Sequence, residues 1–151
     1  FKFVVTLALF GTALAALGAL ARPGAARGRL ALLMLTPALL IAAVAFELLA
    51  VPAEQVRMLW EGKNAAVCLT YIPLIGLGPL AAFLVGLRHG APTRPMLAGA
   101  VAGLVAGGLA ATFYAAHCID DSPLFVATWY SIAIAGLAAL GALGGKFFAR
   151  W

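Results

Sequence analysis

His117-Cys118-Ile119-Asp120-Asp121-Ser122-Pro123 is the only dense run of polar, metal-capable side chains in this chain, and long apolar segments flank it on both sides. It therefore reads as a short, tight connection, and the nature of the flanking segments decides the fold. Of the 151 residues, 65% are hydrophobic and 10% charged, where a soluble domain carries roughly 25% charged residues. Mean hydropathy is +1.08. Such a chain cannot cover a water-facing surface, so a soluble helical bundle is disfavoured and a polytopic membrane protein is expected.

Working outward from the connection, five apolar segments approach the ~20 residues that a hydrocarbon core demands. They are Phe3–Ala21, Leu30–Val51, Ala65–Leu87, Met96–Ala116 and Leu124–Phe148. Backbone groups in lipid must be satisfied within the segment, which makes these helices. The alternating pattern of a membrane barrel is absent. The fold class is all-α, a polytopic transmembrane helix bundle, with residues 1–151 forming one bundle.

Charge orients it. Arg22, Arg27 and Arg29 follow the first segment, Arg88 and Arg94 the third, and Lys146 and Arg150 end the fifth. The acids Glu47, Glu54, Glu61, Asp120 and Asp121 gather at the opposite ends, with Arg57, Lys63 and Lys2. The positive-inside rule places the first set, and the C-terminus, in the cytoplasm. The net charge of +5 thus reports orientation and not nucleic-acid binding. The chain opens at Phe1 directly in apolar sequence on the outer side. A preceding helix and a cytoplasmic N-terminal extension are expected, six helices in all.

Several local signals refine this picture. Arg22-Pro23-Gly24 breaks the first helix, and Pro37 is a tolerated kink in the second. Glu47, near the outer end of the second helix, either faces the bundle interior or reaches headgroup water. Residues Pro52–Asn64 are too polar to span. Val56, Leu59 and Trp60 recur at helical spacing there, which fits a short interfacial helix. Asn64 is placed to cap the next helix. Pro73, Gly76, Gly78 and Pro79 predict a kinked or broken span, either a static kink packed by its neighbours or a candidate hinge. His89 reads as a solvated loop residue. Gly99, Gly103 and Gly107 form a small-residue stripe for close helix packing, inside the bundle or, as a sharper alternative, in a homodimer. Ser122 and Pro123 predict a helix start, with Asp120 and Asp121 suited to its dipole. Phe125, Trp129 and Tyr130 predict an aromatic belt.

The cysteines remain. Cys68 lies 20 residues before Arg88, and Cys118 lies 24 after Arg94. At ~1.5 Å per residue both reach the outer end of adjacent antiparallel helices, ~30 and ~36 Å from the inner loop. Three readings compete: a disulfide; a sensor of metal or thiol reagents, with His117, Asp120, Asp121 or Glu47 as helpers to two thiolates; and inert buried thiols. No CxxC pair, hydrolase motif, P-loop or zincin helix is present, so no enzyme and no constitutive cofactor are expected. A transient thiophilic ion, Cd²⁺ or Zn²⁺-like, is the candidate ligand.

The stretch Val67-Cys68-Leu69 through Ile72-Pro73-Leu74, the loop Ala91-Pro92-Thr93-Arg94-Pro95, and above all His117-Cys118-Ile119-Asp120-Asp121-Ser122-Pro123-Leu124-Phe125-Val126-Ala127-Thr128-Trp129-Tyr130 resemble the negative-regulator-of-sigma-F family. The resemblance implies a six-helix anti-sigma factor of the bacterial inner membrane. It implies that an N-terminal cytoplasmic segment sequesters an extracytoplasmic-function sigma factor. It also implies that Cys68 and Cys118, facing the periplasm, sense heavy metal such as cadmium or chromate, or oxidative stress. The partners expected are that sigma factor and the bilayer. The alternatives from other classes are a small metal transporter, which would need ionisable groups through the midplane, and a structural subunit of a membrane complex.

Overall fold

A computed structural model of the chain describes residues 1–21, 28–90 and 92–148. The expected cytoplasmic bases Arg22, Arg27 and Arg150, the Pro23-Gly24 breaker and Ala91 of the inner loop lie outside them. The described chain is helical: α1 (Lys2–Leu20), α2 (Gly28–Ala50), α3 (Ala53–Glu61), α4 (Ala65–His89), α5 (Pro95–Ala115) and α6, which begins at Pro123–Phe125, widens into a π turn at Val126–Tyr130 and continues as Ser131–Phe148. Five of the spans are long and apolar enough to cross a membrane. Their limits nearly coincide with those read from the sequence, because apolar runs of this length leave little freedom in where a helix starts and stops.

α5 is the centre of the molecule. It packs on α1, α4 and α6, and 61% of its span is buried, against 6% for α2 on the periphery. The glycine stripe explains how α5 can hold that place. A Cβ on Gly99 would run into the carbonyl of Gly141, one on Gly103 into the backbone of Leu137 and Ala138, and one on Gly145 into the carbonyl of Pro95. Glycines on α5 and α6 therefore put backbone against backbone, as small-residue stripes do in lipid. Gly107 faces Ile134 at a looser 2.9 Å. The stripe is used inside the bundle.

Two features differ from expectation. Of the kinked or broken span expected at Pro73–Pro79, the break is not found: α4 is one continuous helix through both prolines. Each proline removes only one amide from the ladder, and α4 is held between α5 and α6. Gly76 is a seat for the Leu137 side chain, whereas a Cβ on Gly78 would meet nothing within 4 Å. Phe125 and Tyr130 do not form a belt; both are fully buried. Phe125 is drawn inward by Gly62, whose missing Cβ leaves the room its ring occupies. In α2, a 3₁₀ turn at Leu32–Met34 precedes Pro37. That turn lets the Leu33 carbonyl avoid the proline ring one turn later.

Candidate functional site

At the connection between α5 and α6 the starts of α4, α6 and α1 come together, each held by a different carboxylate. Asp120 serves the start of α4. Its carboxylate accepts from the amides of Lys63 (3.1 Å) and Asn64 (3.0 Å), and from Asn64 Nδ2 at 3.0 Å. Asn64 occupies the cap position but makes no side-chain cap bond of its own; the acceptor comes from 56 residues away. The chain can approach this closely because Gly62 adopts φ +57° beneath the Phe125 ring.

Glu47 serves the start of α6. Its Oε2 accepts from the Leu124 amide at 2.8 Å and from Ser122 Oγ at 3.0 Å. Ser122 and Pro123 do sit at the cap and first helical positions, yet Ser122 makes no cap bond. It donates to the glutamate that takes over this role. Glu47 thus neither lines the bundle interior nor simply meets water. An acid placed at a helix N-terminus satisfies free amides and complements the dipole. The expectation that Asp120 and Asp121 do this for α6 is corrected: that charge belongs to Glu47.

Asp121 and the Cys118 carbonyl serve the start of α1. Lys2 is buried, and its Nζ donates to Cys118 O at 2.6 Å, with Asp121 Oδ1 3.9 Å away. The Lys2 amide also donates to Asp121 Oδ1 at 3.4 Å. The short helix α3 docks through its tryptophan. Trp60 stacks on Trp129 at 6.0 Å, donates to Thr128 Oγ1, and accepts from Trp129 Nε1 at its carbonyl.

Beneath these clamps lie the thiols. Cys68 is wholly buried and Cys118 is 6% exposed; both are free. They belong to one packed cluster with Ile72, Tyr114, Phe125 and Tyr130. The Tyr114 and Tyr130 rings meet at 5.9 Å within the cluster that holds both cysteines. Tyr130 Oη is buried without a hydrogen-bond partner. Cys118 Sγ faces the carbonyl of Asp120 at 3.8 Å. Thiols are soft ligands and oxidisable groups, and here both are packed among aromatic rings with no exposed surface at Cys68.

The other residues expected at this site are placed elsewhere. His117 is exposed on the outer side of the turn, with Nδ1 near the Phe113 carbonyl. The carboxylates of Asp120, Asp121 and Glu47 are engaged as described. Among the described residues, no group of three or more His, Cys, Asp or Glu side chains converges on one point. Sequence reasoning did not single out Tyr114, and it gave Tyr130 and Lys2 other roles, in an aromatic belt and among the outer bases. Tyr114 precedes Cys118 by one helical turn, the spacing at which side chains share a face, and that signal was readable. Lys2 and Tyr130 come together with Cys118 only in three dimensions.

A family model described as "Negative regulator of sigma F" matches residues 1–151, the whole chain. The chain is 41% identical over 93 residues to the anti-sigma-F factor NrsF of Caulobacter vibrioides, covering 62% of this chain and 44% of that protein. It is 35% identical over 133 residues to the probable anti-sigma-F factor NrsF of Azospira oryzae, covering 87% of this chain and 62% of that protein. No solved structure matches. The aligned region thus spans about half the length of these relatives. The chain belongs to the family of negative regulators of sigma F.

Proposed function

We propose that this chain is the transmembrane sensing part of an anti-sigma factor, and that Cys68 and Cys118 are its sensing residues. The observation that carries the reading is the convergence of the two thiols in one buried cluster in a chain of this family. On this reading the full protein lies in the bacterial inner membrane. The end bearing Arg29, Arg88, Arg94 and Lys146 faces the cytoplasm, and the Asp120 end faces the periplasm. A sigma factor, of the extracytoplasmic-function type, is held inactive on the cytoplasmic side. Uptake of a thiophilic ion, or thiol oxidation, expands the cluster and shifts the bundle toward a state that releases it. A ligand moves such an equilibrium only by its differential affinity for the two states. A close-packed cluster supplies that difference, because it has no space for an added atom until it opens. Pro73 and Pro79, with Gly78 between them, are the place where α4 would bend.

The test uses the full-length protein in its host membrane. Thiols reactive to an impermeant maleimide are counted with and without CdCl₂, and sigma-dependent transcription is read in parallel. The sensing reading expects Cd²⁺ to protect both thiols and to raise transcription only when both cysteines are present. It fails if the Cys68→Ser, Cys118→Ser double variant responds as the unaltered protein does.

Burial supports a second reading, in which the thiols only fill the core. Then Cys68→Ala and Cys118→Ala cost stability, about 1–2 kcal/mol each for small buried groups, and leave the Cd²⁺ response intact.

A further inference from the structure

Lys2 is the feature of this molecule that neither packing nor topology asks for. An ammonium is an expensive group to bury, yet Lys2 is only 8% exposed. Its Nζ is held by Cys118 O at 2.6 Å, with the Asp121 carboxylate 3.9 Å away. The carbonyl it grips and one of the two clustered thiols belong to the same residue. The Cys118 side chain points into the cluster with Cys68, Tyr114 and Tyr130. Its carbonyl points out of it, toward α1.

We propose that Lys2 couples the state of the Cys118 thiol to the position of α1. This rests on the sensing reading given above. An ion or adduct on Sγ needs space at bonding distance, ~2.3 Å for a zinc-like ion, in a cluster with no exposed surface at Cys68 and almost none at Cys118. Cys118 must turn to make that space. It lies just past the end of α5, in a turn whose amide still bonds to Tyr114 O at 3.1 Å, so rotation about this turn moves its carbonyl. The Lys2 ammonium then loses its one short hydrogen bond while still buried and keeps only the Asp121 carboxylate 3.9 Å away, a costly state for an ammonium. The strain is relieved when the start of α1 shifts and carries Nζ toward water.

α1 is well placed to pass this on. It is one unbroken helix from Lys2 to Leu20, and it lies along α5. At its far end the Ala21 carbonyl approaches the end of α4 at Gly90. A displacement that begins at the thiols therefore arrives at the basic end of the bundle through α1. α4 carries the other thiol and touches the same end.

The experiment compares the unaltered full-length protein with K2M, K2R and D121N in the host membrane. CdCl₂ is the probe, and both thiol protection and sigma-dependent transcription are read. K2M keeps the length of the side chain and removes the charge. The expected result is unchanged Cd²⁺ protection of both thiols with loss of induction, a separation that a merely destabilised protein would not give. K2R, which keeps a cation, retains induction. D121N loosens the resting hold on Lys2 and moves the Cd²⁺ midpoint to lower concentration, so the idea stays testable if K2M does not accumulate. Induction of K2M equal to the unaltered protein, or an unmoved midpoint in D121N, overturns the coupling while leaving the sensing reading in place. Absence of Cd²⁺ protection in the unaltered protein, with induction that survives loss of both cysteines, overturns both.

Discussion

At Gly62 a single hydrogen atom in place of a side chain has two consequences. The residue takes φ +57°, a conformation that any Cβ makes costly, and the space a Cβ would need is filled by the Phe125 ring. Gly62→Ala should therefore cost about 2–3 kcal/mol, read as a lower melting temperature in detergent. Asp120→Ala removes the acceptor for two amides and one carboxamide. It should cost about 2 kcal/mol, with Asp120→Asn milder, since one carbonyl oxygen remains. If Asp120→Ala melts like the unaltered protein, the clamp on α4 is unimportant. These residues show where reading the sequence stops. Asp120 was visible as chemistry, because charge is rare in this chain, but its partners at Lys63 and Asn64 depend on how the helices are arranged. A local rule assigned Asn64 and Ser122 as caps, and in both places a carboxylate from a distant segment does that work. Local rules weigh near neighbours, whereas a low-dielectric setting rewards whichever full charge can reach.

At the scale of the elements, the seam between α5 and α6 makes a sharp prediction. Gly103→Ala and Gly99→Ala drive a methyl group into backbone, which cannot rotate away. Each should cost about 3 kcal/mol. Gly136→Ala is the matched control on α6. Its added methyl meets nothing within 4 Å, so it should be neutral or stabilise by up to about 1 kcal/mol through helix propensity. Equal effects at Gly103 and Gly136 would contradict the packing described. The spans themselves were legible, since twenty apolar residues between breakers allow little else in lipid. The stripe of glycines on α5 was legible too, but its partner was not, because spacing alone does not say which helix fills a groove. α4 is the opposite case. Two prolines and two glycines suggested a break, and flanking helices keep the ladder continuous. The π turn in α6 has no signal that we can identify in its residues.

For the molecule as a whole, the burial of Cys68 and Cys118 sets an order of events. A thiol with no exposed surface reacts only through opening. At rest, maleimide labelling should proceed only as fast as the cluster opens, far more slowly than after denaturation, and an ion held on the sulfurs should slow it further. Rapid, complete labelling in the resting state would mean that the cluster is not packed as described. The charge distribution makes a separate prediction about the membrane. A reporter fused in the Arg88–Arg94 segment should read as cytoplasmic, and one at Asp120 as periplasmic. That both thiols lie at the same end of the bundle could be computed from helix rise. That they are roofed over by acids serving as helix caps could not.

The seam of glycines also bears on how this molecule yields to force. Where α5 and α6 touch backbone to backbone, near Gly99 and Gly145, there are no rotamers to rearrange, so the pair is stiff there. Toward Tyr114, Phe125 and Tyr130 the contact passes to aromatic side chains, which can tilt and slide. Compliance is therefore graded along the pair, soft beside the thiols and rigid at the opposite end.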